Sequence, residues 1–566
     1  MRSTPSIIAV LLLGACAADP VTPPTPPPDP VPEPVLLTPV EHLNRASMAL
    51  RGQRPSIDEL RAVDADPEAL PGIVDRYLAT PEFGATIREL HNETLLMRLE
   101  TSQFMFPSKP PFDRMTMTAV EMNTIWEEPL RLIEDVVMSD EPYTKIVTAD
   151  YTMANATSSV VWGLPAHAGP PETWTRTHYS DDREAGGVLA TNALYQRWRS
   201  AGANFNRGRA NMISRTLLCH DFTSSDIAVD TSVDLSDPDA VSAAVVANPA
   251  CAGCHQTLDP LASYSFAFDR KIAPAQIDSY PVTNYRARDV EDWKTKNKRP
   301  PGFFGQPAAG LAGLGLAIAD DPRFARCTAT RFASFLTEVP QPQLSREWIA
   351  RLQRELVASN FDAKALVKAI VMSDEFRVSH HDDPAAAEAV VGALKVRPEQ
   401  LDRMLRSVTG FDWSTTSTEE LRKVPYGTSN LLQSDFIGFR VLAGGIDSYF
   451  VTSPVHTMTA TSSLVASAAA AAAADFVVEH DAAAAPGDRT LFVAASLDSV
   501  DPVEIRAQLV HLHARIYGEL VASDAPEVDT SYALYTEALA IAGNDRRRAW
   551  KLTLIGMLTN FTSLFY

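Results

Sequence analysis

Positive charge is what this 566-residue chain is short of: 50 Lys and Arg stand against 70 Asp and Glu, a formal net charge of −20. Such a surface repels polyphosphate, so nucleic acid is excluded as a partner. Catalytic signatures are missing as well. There is no Gly-x-Ser-x-Gly elbow, no phosphate-binding loop and no His-Glu-x-x-His pair, which leaves hydrolase and nucleotide chemistry without support. Beyond the N-terminus no run is read as long and apolar enough to span a bilayer. Strict apolar–polar alternation is rare, so strands are expected to be a minority. Cysteine is scarce, five in all (Cys16, Cys219, Cys251, Cys254 and Cys327). What remains, 45% hydrophobic and 21% charged, suits a globular protein of about three or four domains.

The first residues point to export. Arg2 gives a short positive start, Ile7 to Leu13 an apolar stretch too short to span, and Leu13-Gly14-Ala15-Cys16 closes it. That closing tetrapeptide resembles a bacterial lipobox, which implies lipidation of Cys16 after removal of residues 1–15. Ala17, where an aspartate would signal inner-membrane retention, implies the outer membrane. The lipid is then the expected anchor and the membrane the first partner. Residues 20–34 carry nine prolines. Such a tract favours polyproline II at ~3.1 Å per residue, a tether of roughly 45 Å.

From residue 40 onward the spacing predicts a mainly α, multi-domain protein with few strands. Ser56-Ile57-Asp58-Glu59 reads as a capping box and Thr80-Pro81 as an N-cap with proline at N1. Ile73, Val74, Tyr77 and Leu78 repeat at helical spacing, and Ile87, Leu90, Leu95 and Met97 suggest another helix. Ile125 to Val137 reads as one long helix, and Trp348, Ile349, Leu352, Leu356 and Val357 as one helical face. Ala466 to Ala474 is a helix made of the best helix former. His380-His381-Asp382-Asp383-Pro384 is read as a solvated break rather than a metal site, since adjacent residues do not face one centre. The expected organisation is signal 1–15, tether 16–39, an N-terminal helical domain 40–180, a haem module with its following helical module 181–380, and a C-terminal helical domain 385–566 of unknown role.

Cys251-Ala252-Gly253-Cys254-His255 is the attachment pattern of c-type haem. Two thiols at this separation add across the haem vinyl groups, and the adjoining imidazole of His255 takes an axial iron position. By chance the pattern is expected roughly 0.001 times from this chain's Cys and His content. A Cys251–Cys254 disulfide, a zinc site and a relic of a haem-binding ancestor are the alternatives. Zinc would want a second ligand pair, which the sequence does not offer. Cys219 and Cys327 remain. In an oxidising compartment they are expected to pair, the alternative being two unpaired buried thiols.

The flanks carry a family likeness. Asn248-Pro249 before the motif, Leu258-Asp259-Pro260-Leu261 and Phe268-Asp269 after it, and Gly186-Gly187-Val188-Leu189, Arg207-Gly208 and Leu217-Leu218-Cys219 upstream resemble the planctomycete-type cytochrome c module. Thr148 to Thr152 with Asn155 and Gly163-Leu164-Pro165 resemble the preceding helical module. Pro322 to Cys327 and Ile370 to Phe376 resemble the following one. Ala262 stands where that family often has Gly.

The reading is one covalent haem c, held by Cys251 and Cys254, with His255 on iron and Asp259 or the backbone at Pro260 accepting its other ring proton. Met372, Met404, Met458, Met557 and His220 are candidates for the sixth position, and Tyr264, Phe266 and Phe268 for the pocket wall. Electron transfer to an unidentified redox protein is the expected role. A structural or substrate-binding lipoprotein and a haem enzyme using peroxide or oxygen are the alternatives.

Overall fold

The computed structural model describes residues 34–100, 118–200, 204–224, 230, 232–234, 236–269, 280–282, 284–382, 392–419 and 424–566. Cys16 and all of the tether before Pro34 lie outside these, as do Asp383 and Pro384. Among the described residues the architecture is mainly helical, with three two-stranded antiparallel sheets.

Local chemistry sets most helix starts. Ser56 caps Ile57–Ala65, its hydroxyl accepting the Glu59 N–H at 3.2 Å while the Glu59 carboxylate accepts the Ser56 N–H at 2.9 Å. Thr80 caps Pro81–Leu95, and Ile73, Val74, Tyr77 and Leu78 are all buried. Two expectations shift. Pro129 starts an α-helix at Glu128–Met138, so the stretch before it, Thr124–Glu127, is a 3₁₀ turn rather than part of one long helix. Val357 is 52% exposed while Trp348, Ile349, Leu352 and Leu356 are buried. Nine residues after Trp348 is two and a half turns, which puts Val357 on the opposite side of the helix.

Two apolar cores result. The first runs continuously from Leu43 to Phe376, through both the 40–180 and 181–380 stretches, and also takes in Leu394 and Ala514. The second gathers Met48 with residues from Val396 to Leu564 around Trp550. Helix Pro39–Arg51 serves both, giving Leu43, Ala46, Ala49 and Leu50 to one and Met48 to the other.

The junction between the cores is polar. Arg403 grips the Glu89 carboxylate through two bonds of 2.5 and 3.0 Å, and Gln400 donates to the Met48 carbonyl at 3.1 Å. Arg54 donates to the Thr562 and Ser563 carbonyls. Val35–Leu36 pairs antiparallel with Val378–His380, so the end of the expected tether is built into the folded part.

The alanine-rich helix extends over Ala460–Ala483, 24 residues with mean hydropathy 1.5, long and apolar enough to cross a membrane. This corrects the expectation that no such segment follows the N-terminus. Half of it is buried in the second core, where it packs on helix Arg546–Leu558. Asp481 near its end is fully buried and accepts the N–H groups of Thr490, Leu491 and Phe492 at 2.8 Å each. Its apolar character comes from small alanines that permit close helix packing.

Two buried imidazoles make the first core acid-sensitive. Burial pushes His42 and His91 down from 6.5 to about 4, even though each bonds a carbonyl, Val371 and Ile87 respectively. Below pH 6.5 the unfolded chain therefore binds protons that the folded chain refuses. Stability is full above that pH and falls as pH drops toward 4, by about 3 kcal/mol for each histidine. Urea midpoints measured from pH 7.5 to 4.5 are expected to fall, and His91→Phe should flatten the slope. A midpoint independent of pH in this window refutes the assignment.

Candidate functional site

Residues Pro249–Ala262 form one helix that carries the whole attachment motif. Asn248 starts it, its side-chain oxygen accepting the Ala250 N–H at 3.0 Å, with Pro249 at N1. Three residues apart on a helix, Cys251 and Cys254 share a face. Cys251 is half-buried, Cys254 is exposed, and neither is in a disulfide. Cys219 and Cys327 do pair, with Cα atoms 5.4 Å apart, tying the end of helix Arg207–Leu218 to helix Pro322–Thr337.

One turn past His255 lies Asp259, whose side chain is 1% exposed. The His255 Nδ1 stands 3.1 Å from Asp259 Oδ1. A carboxylate only accepts, so this pairing puts the ring proton on Nδ1 and leaves Nε2 with its lone pair. Arg207 closes on the same carboxylate through Nε at 2.6 Å and Nη2 at 3.1 Å. The Asp259 carbonyl accepts from Asn297 Nδ2 and Ser263 Oγ, each at 2.9 Å. Burial by itself raises the Asp259 carboxyl. The hydrogen bonds from His255 and Arg207, with the Arg207 charge, outweigh that and hold it below the ordinary aspartate range. Asp259 is therefore an ionised, immobile acceptor that fixes the orientation of His255, whose side chain stays 23% exposed.

The turn that follows is held by Arg209, fully buried, which donates to the carbonyls of Trp198, Tyr195, Phe268 and Asp269. Pro260 lies inside the motif helix, and its carbonyl accepts the Gly302 N–H at 3.3 Å rather than a ring proton. The thiols and imidazole do not converge on one point. Among the described residues no three His, Cys, Asp or Glu side chains are grouped to hold a bare metal ion. Free thiols on one face and an oriented imidazole beside them fit a haem, which brings its own ring nitrogens and needs only two thioethers and axial donors.

The other expected residues divide. Tyr264, Phe266 and Phe268 are buried; Phe268 stacks on Tyr195 with ring centres 3.7 Å apart, and the Tyr264 hydroxyl donates to the Ala308 carbonyl. Met404 and Met557 are packed in the second core, away from the motif helix. Met372 ends helix Ala363–Val371 against the first core, and Met458 accepts from the Ser462 hydroxyl. His380 ends its strand at the surface. His220 follows the disulfide directly, exposed, its ring against Phe222 and Phe304. Arg207 and Asn297 are site residues that no sequence signal marked as partners of Asp259, since they lie 52 and 38 positions away.

Residues 304–376 match a family described as "Protein of unknown function (DUF1585)". The match begins after the attachment motif and contains Cys327 and the segments Pro322 to Cys327 and Ile370 to Phe376. No curated protein and no solved structure matches the chain.

Proposed function

We propose that this chain is a membrane-anchored c-type haem lipoprotein of the bacterial envelope that passes electrons to a redox protein. The observation that carries the reading is the Arg207–Asp259–His255 chain beside two unpaired thiols. The resemblance of residues 186–270 to the planctomycete-type cytochrome c module supports it. Cys251 and Cys254 would bind the haem covalently and His255 would ligate its iron; when bound, the haem supplies a one-electron couple.

The chain's own residues account for the rest. Asp259 keeps the proton on His255 Nδ1 and so presents Nε2 as the donor atom. It also raises the basicity of that nitrogen, which favours the oxidised metal. Arg207 neutralises the buried carboxylate, so that Asp259 stays ionised at neutral pH rather than taking a proton. Cys16 would hold the protein at the outer membrane through its lipid, with residues 17–34 as spacer.

Full-length protein made in a host that matures c-type cytochromes is expected to give a haem-stained band on a denaturing gel. Cys251→Ala or Cys254→Ala should weaken or abolish the band, and Cys16→Ser should move the protein out of the membrane fraction. A parent protein that carries no covalent haem in such a host overturns the proposal. Only a structural or substrate-binding role would then stand.

A further inference from the structure

His220 is exposed, yet its loop is fixed on every side. Cys219 before it is locked in the disulfide to Cys327. Its own N–H donates to the Ser214 carbonyl at 3.2 Å, and its carbonyl accepts the Ser214 hydroxyl at 2.7 Å. After it, Asp221 accepts from Asn211 Nδ2 at 2.9 Å, and Asn211 returns an acceptor to the Phe222 N–H at 2.8 Å. The imidazole meets Phe222 and Phe304 edge-on, at 4.7 and 5.6 Å between ring centres, and those two rings stack on each other at 6.1 Å.

Among the described residues the imidazole serves only as an edge-on neighbour of Phe222 and Phe304. Neither of its nitrogens makes a hydrogen bond among the described residues. His42 and His91 by contrast bond carbonyls and a hydroxyl, His513 bonds the Ser531 hydroxyl and the Glu519 carboxylate, and His456 and His480 bond carboxylates. Both supports of His220 reach the motif helix. Helix Arg207–Leu218 packs against it and begins with the Arg207 clamp on Asp259. Phe304 follows two residues after Gly302, whose N–H bonds the Pro260 carbonyl. Of the methionines considered for the sixth position, Met404 and Met557 are packed in the second core and Met372 against the first, while Met458 is exposed and accepts from the Ser462 hydroxyl.

Resting on the haem reading above, we infer that His220 is the second axial ligand, making the site a six-coordinate bis-imidazole haem built for electron transfer. A neutral imidazole is a common metal donor, and rigid mounting of an unpartnered one lowers the entropy cost of ligation. The disulfide and the aromatic pair are then the positioning devices of that ligand.

The test is spectroscopic, on haem-matured full-length protein. The oxidised parent is expected to be low-spin in frozen-solution electron paramagnetic resonance, without the near-infrared methionine-to-iron band, and its reduced form should resist carbon monoxide. His220→Ala should lose the low-spin signal and bind carbon monoxide, and imidazole added to the buffer should restore the parent spectrum. His178→Ala, removing an exposed histidine far along the chain, should change nothing. A methionine band in the parent, or a low-spin His220→Ala protein, overturns the ligand assignment. Haem content is read separately, as the pyridine adduct of denatured protein. A parent lacking haem overturns the electron-transfer proposal itself and this assignment with it; equal haem in parent and variant confines any failure to the ligand.

Discussion

Replacing both Cys219 and Cys327 by alanine is expected to cost the folded protein up to about 4.7 kcal/mol, the chain-entropy value for so long a loop. The disulfide closes 108 residues of sequence, and that loop contains the entire motif helix, Asp259 included. Without the bond the unfolded chain gains the freedom that the cross-link denied it. The folded side is also affected. Cys327 is buried against the Thr216 carbonyl, and the helices that carry Arg207 and Cys327 lose their covalent tie. Urea unfolding followed by tryptophan fluorescence should show a lower midpoint for the double variant, matched by the parent under mild reductant. An unchanged midpoint in both would mean the bond does not form in the mature protein.

The second large effect sits at the junction of the two cores. Arg397 is buried and bonds Glu93 at 2.5 Å and Glu338 at 3.1 Å, donates to the Phe335 carbonyl at 3.0 Å, and lies 3.9 Å over the Phe335 ring. Glu338 also faces His456 at 3.1 Å. Burial pushes the Glu93 carboxyl up to about 7 against the pull of Arg397. Glu338, despite its own burial, is held below the ordinary range by His456 and Arg397.

Arg397→Met keeps most of the volume and leaves the buried Glu338 and the half-buried Glu93 carboxylates without their shared cation, a loss of about 3 kcal/mol. The double variant Arg397→Met/Glu338→Gln should recover part of that loss, because the more deeply buried of the two stranded charges goes with it. Denaturant midpoints of the two variants at pH 8 decide the matter. If the double variant is no more stable than the single, the cost lies in lost packing on Phe335 and not in the buried charge.

Features written within about a turn of one another were legible in the residues themselves. Ser56 with Glu59, Thr80 with Pro81, and the alanine run that became Ala460–Ala483 needed only local caps and helix propensity. The Cys251–Cys254–His255 spacing likewise lies inside one helix, and Asp259 could be named as an acceptor because it stands one turn on. Cys219 and Cys327 could be paired because so few cysteines remained to choose from.

What only the tertiary structure decided involves partners far apart in sequence, for which a single chain carries no local signal. Arg207 as the clamp of Asp259 is one such case. Arg397 joining Glu93 across 304 positions is another, and the closing of Val35–Leu36 onto Val378–His380 a third. Burial worked the same way. Val357 turned outward and Phe268 inward, and Met404 and Met557 became core rather than ligand candidates near the motif helix, because a neighbouring element either covered that face or did not. The sequence by itself determined that two thiols and an imidazole stand together within one helix. The packing of helix Arg207–Leu218 on the motif helix decided how His255 is aimed, since a buried carboxylate keeps its charge and direction only when a cation from elsewhere in the chain is folded against it.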